Sequence, residues 1–389
     1  MEVSYSTSSL FNAFKAGVSV AEKVREDLKK KRPDLLILYG TVKYDYNEVF
    51  DGILSVFEDE TIPLIGGTGY GIVSQEGCQD STILLIGFLS NGMKFGVGFS
   101  EGVGENSYEA GINAALSALK SLEKAKPILG ILHSDGFRGN GSAVLKGIDD
   151  ILKGKTPITG GTTGDNLDFK EAYQFYNWSC YSNGVVLLLL AGTFEFNIDI
   201  IQGWKPIGSE GYLEKYEGNI VSTLKDGLTI QDFYRQILGK DIPKQHLGFY
   251  PLALYQKDNF DYILRAAMHI LEDGSLKLAG DVPPETSFVR VSKANKMEVL
   301  RDVSEYMKKT THFSKSPEIV FYFSCGARKA ILGCDLAFEL NYIREFISED
   351  VPIAGFFTFA EFGPFKKNND YGINLLHNQT LVLCSIWNA

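Results

Sequence analysis

The residues best suited to chemistry lie in the C-terminal third of the chain. A thiol and a guanidinium follow one apolar run, at Cys325 and Arg328, and a hydroxyl and a carboxylate follow another, at Thr358 and Glu361. If these strand ends meet, Arg328 and Glu361 suit the carboxylate and ammonium ends of an amino-acid-like ligand, because a guanidinium donates two parallel hydrogen bonds to a carboxylate. The alternative is that Arg328 and Glu361 pair with each other.

Two glycine-rich turns are the second set of candidates, and their residues are Gly66, Gly67, Thr68, Gly160, Gly161 and Thr162. Glycine at such turns provides a positive φ or lets two backbones approach closely. The functional reading is that free N–H groups and hydroxyls line a pocket at strand ends, where open α/β sheets bind ligands. We expect these turns to form one wall of a pocket. Arg328, Glu361 and Asn378 would form the other wall, with Phe357 or Phe359 over the apolar part.

A thiol-dependent enzyme is an alternative to a binding protein. Cys325, His377 and Asn378 are the residue types of a thiol hydrolase, although a cysteine after an apolar strand is also typical of inert burial. Binding without catalysis is therefore favoured. The histidines have no metal-binding spacing, so no metal site and no cofactor are predicted; a single axial histidine for haem stays open.

An internal repeat must position these residues. A proline opens an apolar run at Pro33 and again at Pro127, and in both copies another proline follows thirty residues later, at Pro63 and Pro157. The glycine-rich turns come directly after these second prolines. A looser third copy opens at Pro317. Such self-similarity indicates one recurring supersecondary unit.

The repeat predicts an α/β fold. Hydrophobic periodicity favours helices over 10–31, 47–57 and 142–152, and all-apolar strands over 35–39 and 128–132. We expect strand–helix–strand–hairpin units that form mixed sheets covered by helices, with a layered αββα sandwich as the alternative. Two large units are expected, 1–203 with two copies of the repeat and 204–389 with the divergent third copy.

Two hairpins are predicted within the first of these units. Thr82–Leu89 would pair with Met93–Phe99 through Asn91-Gly92, a dipeptide that favours tight turns. Gly184–Ala191 would pair with Phe194–Gln202 in the same way. The aromatic-rich segment 165–180 is an insertion relative to the first copy and is either a lid over the second turn or a surface meander.

Composition narrows the class of protein. The chain has 389 residues and a formal net charge of −10, which argues against nucleic-acid binding. Its five cysteines are scattered, as expected for reduced thiols in the cytoplasm. No signal peptide is predicted, and the longest apolar run, Val185–Ala191, is too short for membrane insertion.

These motifs resemble those of the FIST-domain family. The resemblance rests on the repeated block, on 203–208, on 323–328, on 351–361 and on 377–380, and it covers nearly the whole chain. It implies a sensory domain that binds a small ligand, with amino acids as proposed ligands, and some bacterial members are similar to haem-based nitric oxide sensors. Because no output domain is attached, a separate partner protein would read the signal; the oligomeric state is left open. One departure is Ala360, where family members often have glycine.

Overall fold

The three copies of the repeat fold into three related units. The computed structural model describes residues 1–90, 92–256, 262–367 and 370–388. The first unit contains, in chain order, β1 (Glu2–Ser8), α1 (Ala13–Asp27), β2 (Leu35–Gly40), α2 (Tyr46–Phe57), β3 (Leu64–Thr68), β4 (Ile72–Ser74), β5 (Gly77–Gln79) and β6 (Ile83–Leu89). The second unit repeats this order with β7 (Met93–Glu101), α3 (Ser107–Ser121), β8 (Leu129–Ser134), α4 (Gly141–Leu152), β9 (Ile158–Gly161), β10 (Gln174–Tyr176), β11 (Ser179–Tyr181) and β12 (Gly184–Gly192).

The third unit is interrupted by an insertion. It begins with β13 (Phe194–Ile201). The insertion follows, with β14 (Lys205–Glu217), β15 (Ile220–Leu224), β16 (Leu228–Thr229), α5 (Ile230–Leu238), β17 (Leu252–Gln256), β18 (Tyr262–Arg265), β19 (Ala267–Ile270), β20 (Leu276–Leu278) and β21 (Thr286–Lys293). The unit then resumes with α6 (Lys296–Lys309), β22 (Ile319–Cys325), α7 (Gly326–Leu332), α8 (Leu336–Arg344), β23 (Ile353–Thr358), β24 (Glu361–Lys367), β25 (Asp370–His377) and β26 (Leu381–Asn388).

Local sequence explains where these elements begin. Helices α1, α3 and α4 each start at an asparagine, Asn12, Asn106 or Asn140, whose side chain accepts a hydrogen bond from a backbone N–H of the first turn. Strands β2, β8 and β22 are buried at every position, as is typical of strands covered on both faces. In β2 one face packs under α1 and α2, and the other faces the shared core of the three units.

Each unit contributes strands to two sheets. The three six-stranded sheets run in the orders β1-β6-β2-β3-β10-β11, β7-β12-β8-β9-β24-β25 and β13-β26-β22-β23-β4-β5. In every sheet the last two strands are a hairpin donated by another unit: the second unit donates to the first sheet, the third to the second, and the first to the third. The α/β prediction of mixed sheets covered by helices is confirmed, and the exchange closes the units into a ring.

The two predicted hairpins are wrong. Strand β6 pairs with β1 and β2, whereas β7 pairs with β12 in another sheet. Likewise, β12 pairs with β7 and β8, and β13 pairs with β26. The short links after β6 and β12 are therefore crossovers between units. Neither strand can form a hairpin with the strand that follows it, because both of its neighbours are already other strands of its own sheet. Asn91 of the predicted turn lies outside the described residues.

The insertion forms a fourth sheet of its own. Its order is β18-β17-β21-β14-β15-β20-β19, with β16 paired to β15. Strands β18 and β19 are separated only by Ala266, so one stretch of chain reaches both ends of the sheet, which is therefore curled. Apolar side chains of the sheet and of α5 fill its interior.

The predicted boundary at residue 203 does not coincide with the boundaries of the sheets. Strand β13 lies before it and pairs with β26, and β24 lies after it and pairs with β9. The division into 1–203 and 204–389 stays a prediction about domains. Within the described ranges, no helix has the length and apolar character needed to cross a membrane.

One glycine in each repeat is required by close approach of two strands. A Cβ on Gly66 would lie 1.8 Å from the Leu38 carbonyl oxygen, and one on Gly160 would lie 2.1 Å from that of Leu132. Both glycines also have positive φ values, 149° and 128°. The steric reading of Gly66 and Gly160 therefore accounts for these two positions.

We expect Gly66→Ala to destabilise the protein by at least about 3 kcal/mol, because the backbone cannot move away without breaking the pairing of β2 and β3. Urea unfolding measures the change. The control is Gly248→Ala, where the nearest atom to a new Cβ is 3.9 Å away. Equal midpoints for the two variants would contradict the steric explanation.

Candidate functional site

The turns after β3, β9 and β23, here called the corners, meet where the three units converge. A Cβ on Gly67 would lie 2.5 Å from the Thr163 methyl carbon, and one on Gly161 would lie 2.2 Å from that of Thr358. The aromatic side chain of Phe356, in the third unit, contacts the first unit and completes the circle of contacts among the three units. The corners therefore converge and contact one another directly, and the pocket expected between them stays a prediction.

Aromatic side chains fill the space beneath the corners. Tyr39 and His133 are equivalent residues of the first two units, and their rings pack with Phe323 and Phe356 at centroid distances of 4.9–6.4 Å. Burial lowers the pKa of His133 to about 4, so the ring is neutral. Its Nδ1 lies 3.3 Å from the carbonyl oxygen of Gly161, which can only accept, so Nδ1–H donates and Nε2 accepts from the Tyr39 hydroxyl at 3.1 Å.

All twelve candidate residues are buried, but they fall into two groups. Gly66, Gly67 and Thr68 lie against residues 163–175 of the second unit, and the Thr68 hydroxyl donates to the Gly164 carbonyl at 2.9 Å. The remaining glycine turn lies beside the C-terminal candidates, because Glu361 pairs directly with Gly161 in the sheet. The two walls predicted from the sequence are thus brought together only in part.

Thr162 joins the second corner to the turn before Glu361. Its N–H donates to the Ala360 carbonyl at 2.8 Å, and its hydroxyl accepts from the Ala360 N–H at 2.9 Å. Ala360 does not have a positive φ, so alanine is compatible with this turn. The departure from the family's glycine therefore leaves Glu361 held in place.

Glu361 is the first residue of the donated strand β24 and is fully buried. Its Oε1 lies 2.5 Å from the Thr358 hydroxyl, and its Oε2 accepts from the Thr380 hydroxyl at 2.7 Å and from the Thr380 N–H at 3.2 Å. Burial raises the pKa of this carboxyl to about 7, and the hydrogen bonds from Thr358 and Thr380 oppose that rise. Glu361 can therefore gain or lose a proton near neutral pH.

This raised pKa predicts a pH-dependent stability. Below pH 4.5 the carboxyl is protonated in both states; from pH 4.5 to about 7 only the unfolded chain ionises, so the free energy of unfolding falls. We expect Glu361→Gln to gain about 3 kcal/mol relative to the wild type between pH 4.5 and pH 8. Urea unfolding across this range measures the gain. The exposed Glu22→Gln variant should follow the wild type, and a pH-independent effect of Glu361→Gln would contradict the assignment.

The sequence left open whether Arg328 pairs with Glu361, and the two side chains do not pair. Its Nη2 forms a fully buried ion pair with Glu339 of α8, and the Tyr322 hydroxyl donates to the other oxygen of Glu339 at 2.5 Å. A second contact, at 3.4 Å, runs from Nη1 to the carbonyl of Gln202. Glu339 was not a sequence candidate, although it lies on the same helix face as the buried Leu336, Leu340 and Ile343. In this arrangement Arg328 therefore cannot use both terminal nitrogens to bind a ligand carboxylate.

We expect Arg328→Met to destabilise the protein by about 3–5 kcal/mol, because it leaves Glu339 buried without a counter-charge. The double variant Arg328→Met/Glu339→Leu should recover much of that loss, since both charges are then removed. Urea unfolding of the two single variants and the double variant completes the cycle. Additive effects would show that the two side chains are not coupled.

Several buried polar atoms near Glu361 have no hydrogen-bond partner among the described residues. Among them are Ser324 Oγ, Arg328 Nε, Asn378 Nδ2 and Gln379 Oε1. Backbone contacts bring their elements together: the Cys325 N–H donates to the Thr380 carbonyl at 3.0 Å, and the Thr358 hydroxyl lies 3.3 Å from the Ser324 carbonyl. We call Ser324, Arg328, Thr358, Glu361, Asn378, Gln379 and Thr380 the polar cluster.

The polar cluster is linked to the inserted sheet by Asn378 and by Arg265, a residue that the sequence did not indicate. Asn378 Oδ1 accepts from the Ala266 N–H at 2.9 Å. The buried Arg265 donates to the Leu376 carbonyl at 2.7 Å and to the Asp281 carbonyl at 2.8 Å. Burial lowers the pKa of Arg265 to about 10, which still leaves it charged at neutral pH. Both contacts fall at the kink between β18 and β19.

The thiol-enzyme arrangement is not supported by the geometry. Cys325 is 5% exposed, and burial raises the pKa of its thiol, with the Glu361 charge adding to the rise. His377 directs Nε2 at the Gly363 carbonyl, 3.1 Å away, and no hydrogen bond joins it to Cys325 within the described chain. A thiol that stays protonated and has no hydrogen-bonded histidine is a poor nucleophile.

An aromatic cap covers the corners of the second and third units. It consists of Phe137, Phe169 and Phe359, whose centroids lie 4.8–5.6 Å apart. Asp165 fixes the loop that carries Phe169 by accepting its N–H at 3.0 Å. The segment 165–180 therefore divides into a loop that contributes to the cap and the start of the hairpin β10–β11. Phe359 belongs to the cap, whereas Phe357 packs in the core beside Tyr322.

Three of the five histidines are enclosed or paired in ways that do not suit an axial haem ligand. His133 is enclosed by aromatic rings and uses both nitrogens, and the ring of His377 is buried against Gly363. His312 uses its nitrogens on Thr310 and Asp199. The two described clefts, about 540 and 260 Å³, have no histidine in their walls.

The repeat, the converging corners and the C-terminal motif together define a FIST-type α/β fold. The FIST N domain matches residues 34–226 and the FIST C domain matches residues 231–364, so the chain belongs to the FIST family.

An uncharacterised protein of Methanocaldococcus jannaschii is 24% identical over 396 residues, which cover 95% of this chain and 72% of the relative. Two structures of cyanuric acid hydrolase, one of them from A. caulinodans, align with 100% of this chain and 99% of their own. Their sequence identities are 9% and 8%, and their TM-scores are 0.38 and 0.39. A likeness at this level carries no conclusion about activity.

Proposed function

We propose that the protein is a cytoplasmic sensor that binds an amino-acid-like ligand at the polar cluster. The observation that carries this proposal is the set of buried polar atoms without partners beside Glu361. Buried polar groups in proteins are nearly always hydrogen-bonded, so a group of orphans in one place is typical of a site completed by a ligand or by water. Family membership supports small-ligand binding in general.

The chemistry of the orphans favours a ligand with both an acidic and a basic group. Arg328 Nε and Asn378 Nδ2 are donors suited to a carboxylate, and Glu361 and Gln379 Oε1 are acceptors suited to an ammonium group. A bound ammonium would also favour the ionised form of Glu361. Because every one of these groups is buried, a ligand can enter only if the residues that cover the polar cluster move.

The contacts to the inserted sheet offer a route for the signal. A ligand that takes up the Asn378 amide would act on the residue that also holds Ala266 at the β18–β19 kink. Different affinities for the arrangements with and without that contact would shift their populations. A separate partner protein would then recognise the inserted sheet. All five cysteines are free, which supports a reducing compartment.

A thermal-shift screen of amino acids at pH 8, followed by calorimetry, tests the proposal. We expect a ligand to raise the melting temperature and its α-hydroxy analogue to bind more weakly, since only the ammonium pairs with Glu361. Glu361→Gln should remove that preference, and Ser324→Ala should weaken binding about three- to tenfold. Ser385→Ala is the matched control. The Ser385 hydroxyl is also buried and unpartnered, but this residue lies on β26, outside the polar cluster. Failure of every amino acid to bind, or equal affinity of all variants, would refute the proposal.

A further inference from the structure

The three units pass into one another through junctions with the same backbone geometry. At each junction the residue before the central strand (β2, β8 or β22) donates its backbone N–H to the last strand of the same unit (β6, β12 or β26). This hydrogen bond is 2.8 Å long in all three, and the pairs are Asp34–Phe88, Ile128–Leu190 and Glu318–Ile386. Positions 34, 128 and 318 are therefore equivalent, although their side chains differ.

Two of these positions carry an acid that is held at its own junction. Asp34 Oδ2 accepts a hydrogen bond from the Ser90 N–H at 2.7 Å, and Glu318 Oε1 accepts from the Asn388 amide at 2.5 Å. Ser90 and Asn388 are equivalent as well, since each lies two residues beyond the acceptor carbonyl. In the second unit the position of the acid is taken by Ile128. The equivalent position of this junction therefore carries no carboxylate.

The second junction opens instead into a cleft of about 540 Å³, here called the larger cleft. Lys126 and Lys155 line it, and none of its eight lining residues is acidic. Both lysines are exposed, and no ion pair is formed by either within the ranges that the structure describes. Pro127, Ile128 and Phe196 give it an apolar wall.

The first junction shows what packing alone produces. It has a smaller cleft of about 260 Å³, and Phe95 stands in its wall where Phe196 stands in the larger cleft. Asp34, Glu123 and Lys94 line it, so its charges are mixed. The fold therefore generates a cleft at a junction, but it does not require two lysines without an acid. In a chain with a net charge of −10, that arrangement needs a separate explanation.

We propose that the larger cleft binds a small monocarboxylic acid with an apolar body. The ligand carboxylate takes the place of the missing acid and pairs with Lys126 and Lys155, and its aliphatic or aryl part lies against Phe196 and Pro127. The volume and the mixture of an apolar wall with a few charged groups are those of small-molecule sites. This site is separate from the polar cluster and takes a ligand without an ammonium group.

Titration with 4-fluorobenzoate, followed by ¹⁹F NMR at pH 7, tests the proposal. We expect saturable binding that weakens at high salt, and no binding of 4-fluorobenzylamine, which has the same ring and the opposite charge. Lys126→Met/Lys155→Met should weaken binding roughly tenfold or more. Lys94→Met is the matched control from the smaller cleft and should leave the affinity unchanged.

A second variant supplies the missing acid from within the chain. Ile128→Asp places a carboxylate at the position of Asp34 and Glu318, so it should compete with 4-fluorobenzoate and weaken its binding. Glu361→Gln should leave this binding unchanged, which separates the result from that of the amino-acid screen. Absence of saturable binding to the wild type, or an unchanged affinity of the double lysine variant, would overturn the proposal.

Discussion

The exchange of hairpins between the units is the constraint on which the rest of the structure depends. Strands β3, β9 and β23 would be exposed sheet edges within their own units, and each is covered by a hairpin from another unit. Unpaired edges favour aggregation, so the exchange removes a liability that each unit would have alone. It also makes the units mutually dependent, because none of the three sheets is complete without strands from elsewhere in the chain.

The exchange also explains where the polar cluster lies. Glu361 begins the strand that crosses from the third unit into the second sheet, and Thr358 ends the strand that stays behind. The carboxylate is thus placed at a crossing point, where the main chain changes sheets and side chains from several elements converge. A ligand at this point would contact the link between units as well as the contacts to the inserted sheet.

Much of the local structure could be predicted from the sequence, and most of the pairing could not. The helices and central strands were found because their periodicity and capping residues act over a few positions, as at Asn106. The hairpins β6–β7 and β12–β13 were predicted wrongly, because turn chemistry is local and does not show that a strand already has two neighbours. The donated hairpins join residues far apart in sequence, such as Gly161 and Glu361.

The site follows the same division. The sequence by itself determined the repeat, the glycines at 66 and 160, and the polar residues at the C-terminal strand ends, because these depend on backbone sterics and on residue type. Only the tertiary structure decided that Arg328 pairs with Glu339, that Glu361 titrates near neutral pH, and that the second junction lacks an acid. Burial and charge pairing are properties of neighbours brought together by folding, and the order of residues along the chain does not specify those neighbours.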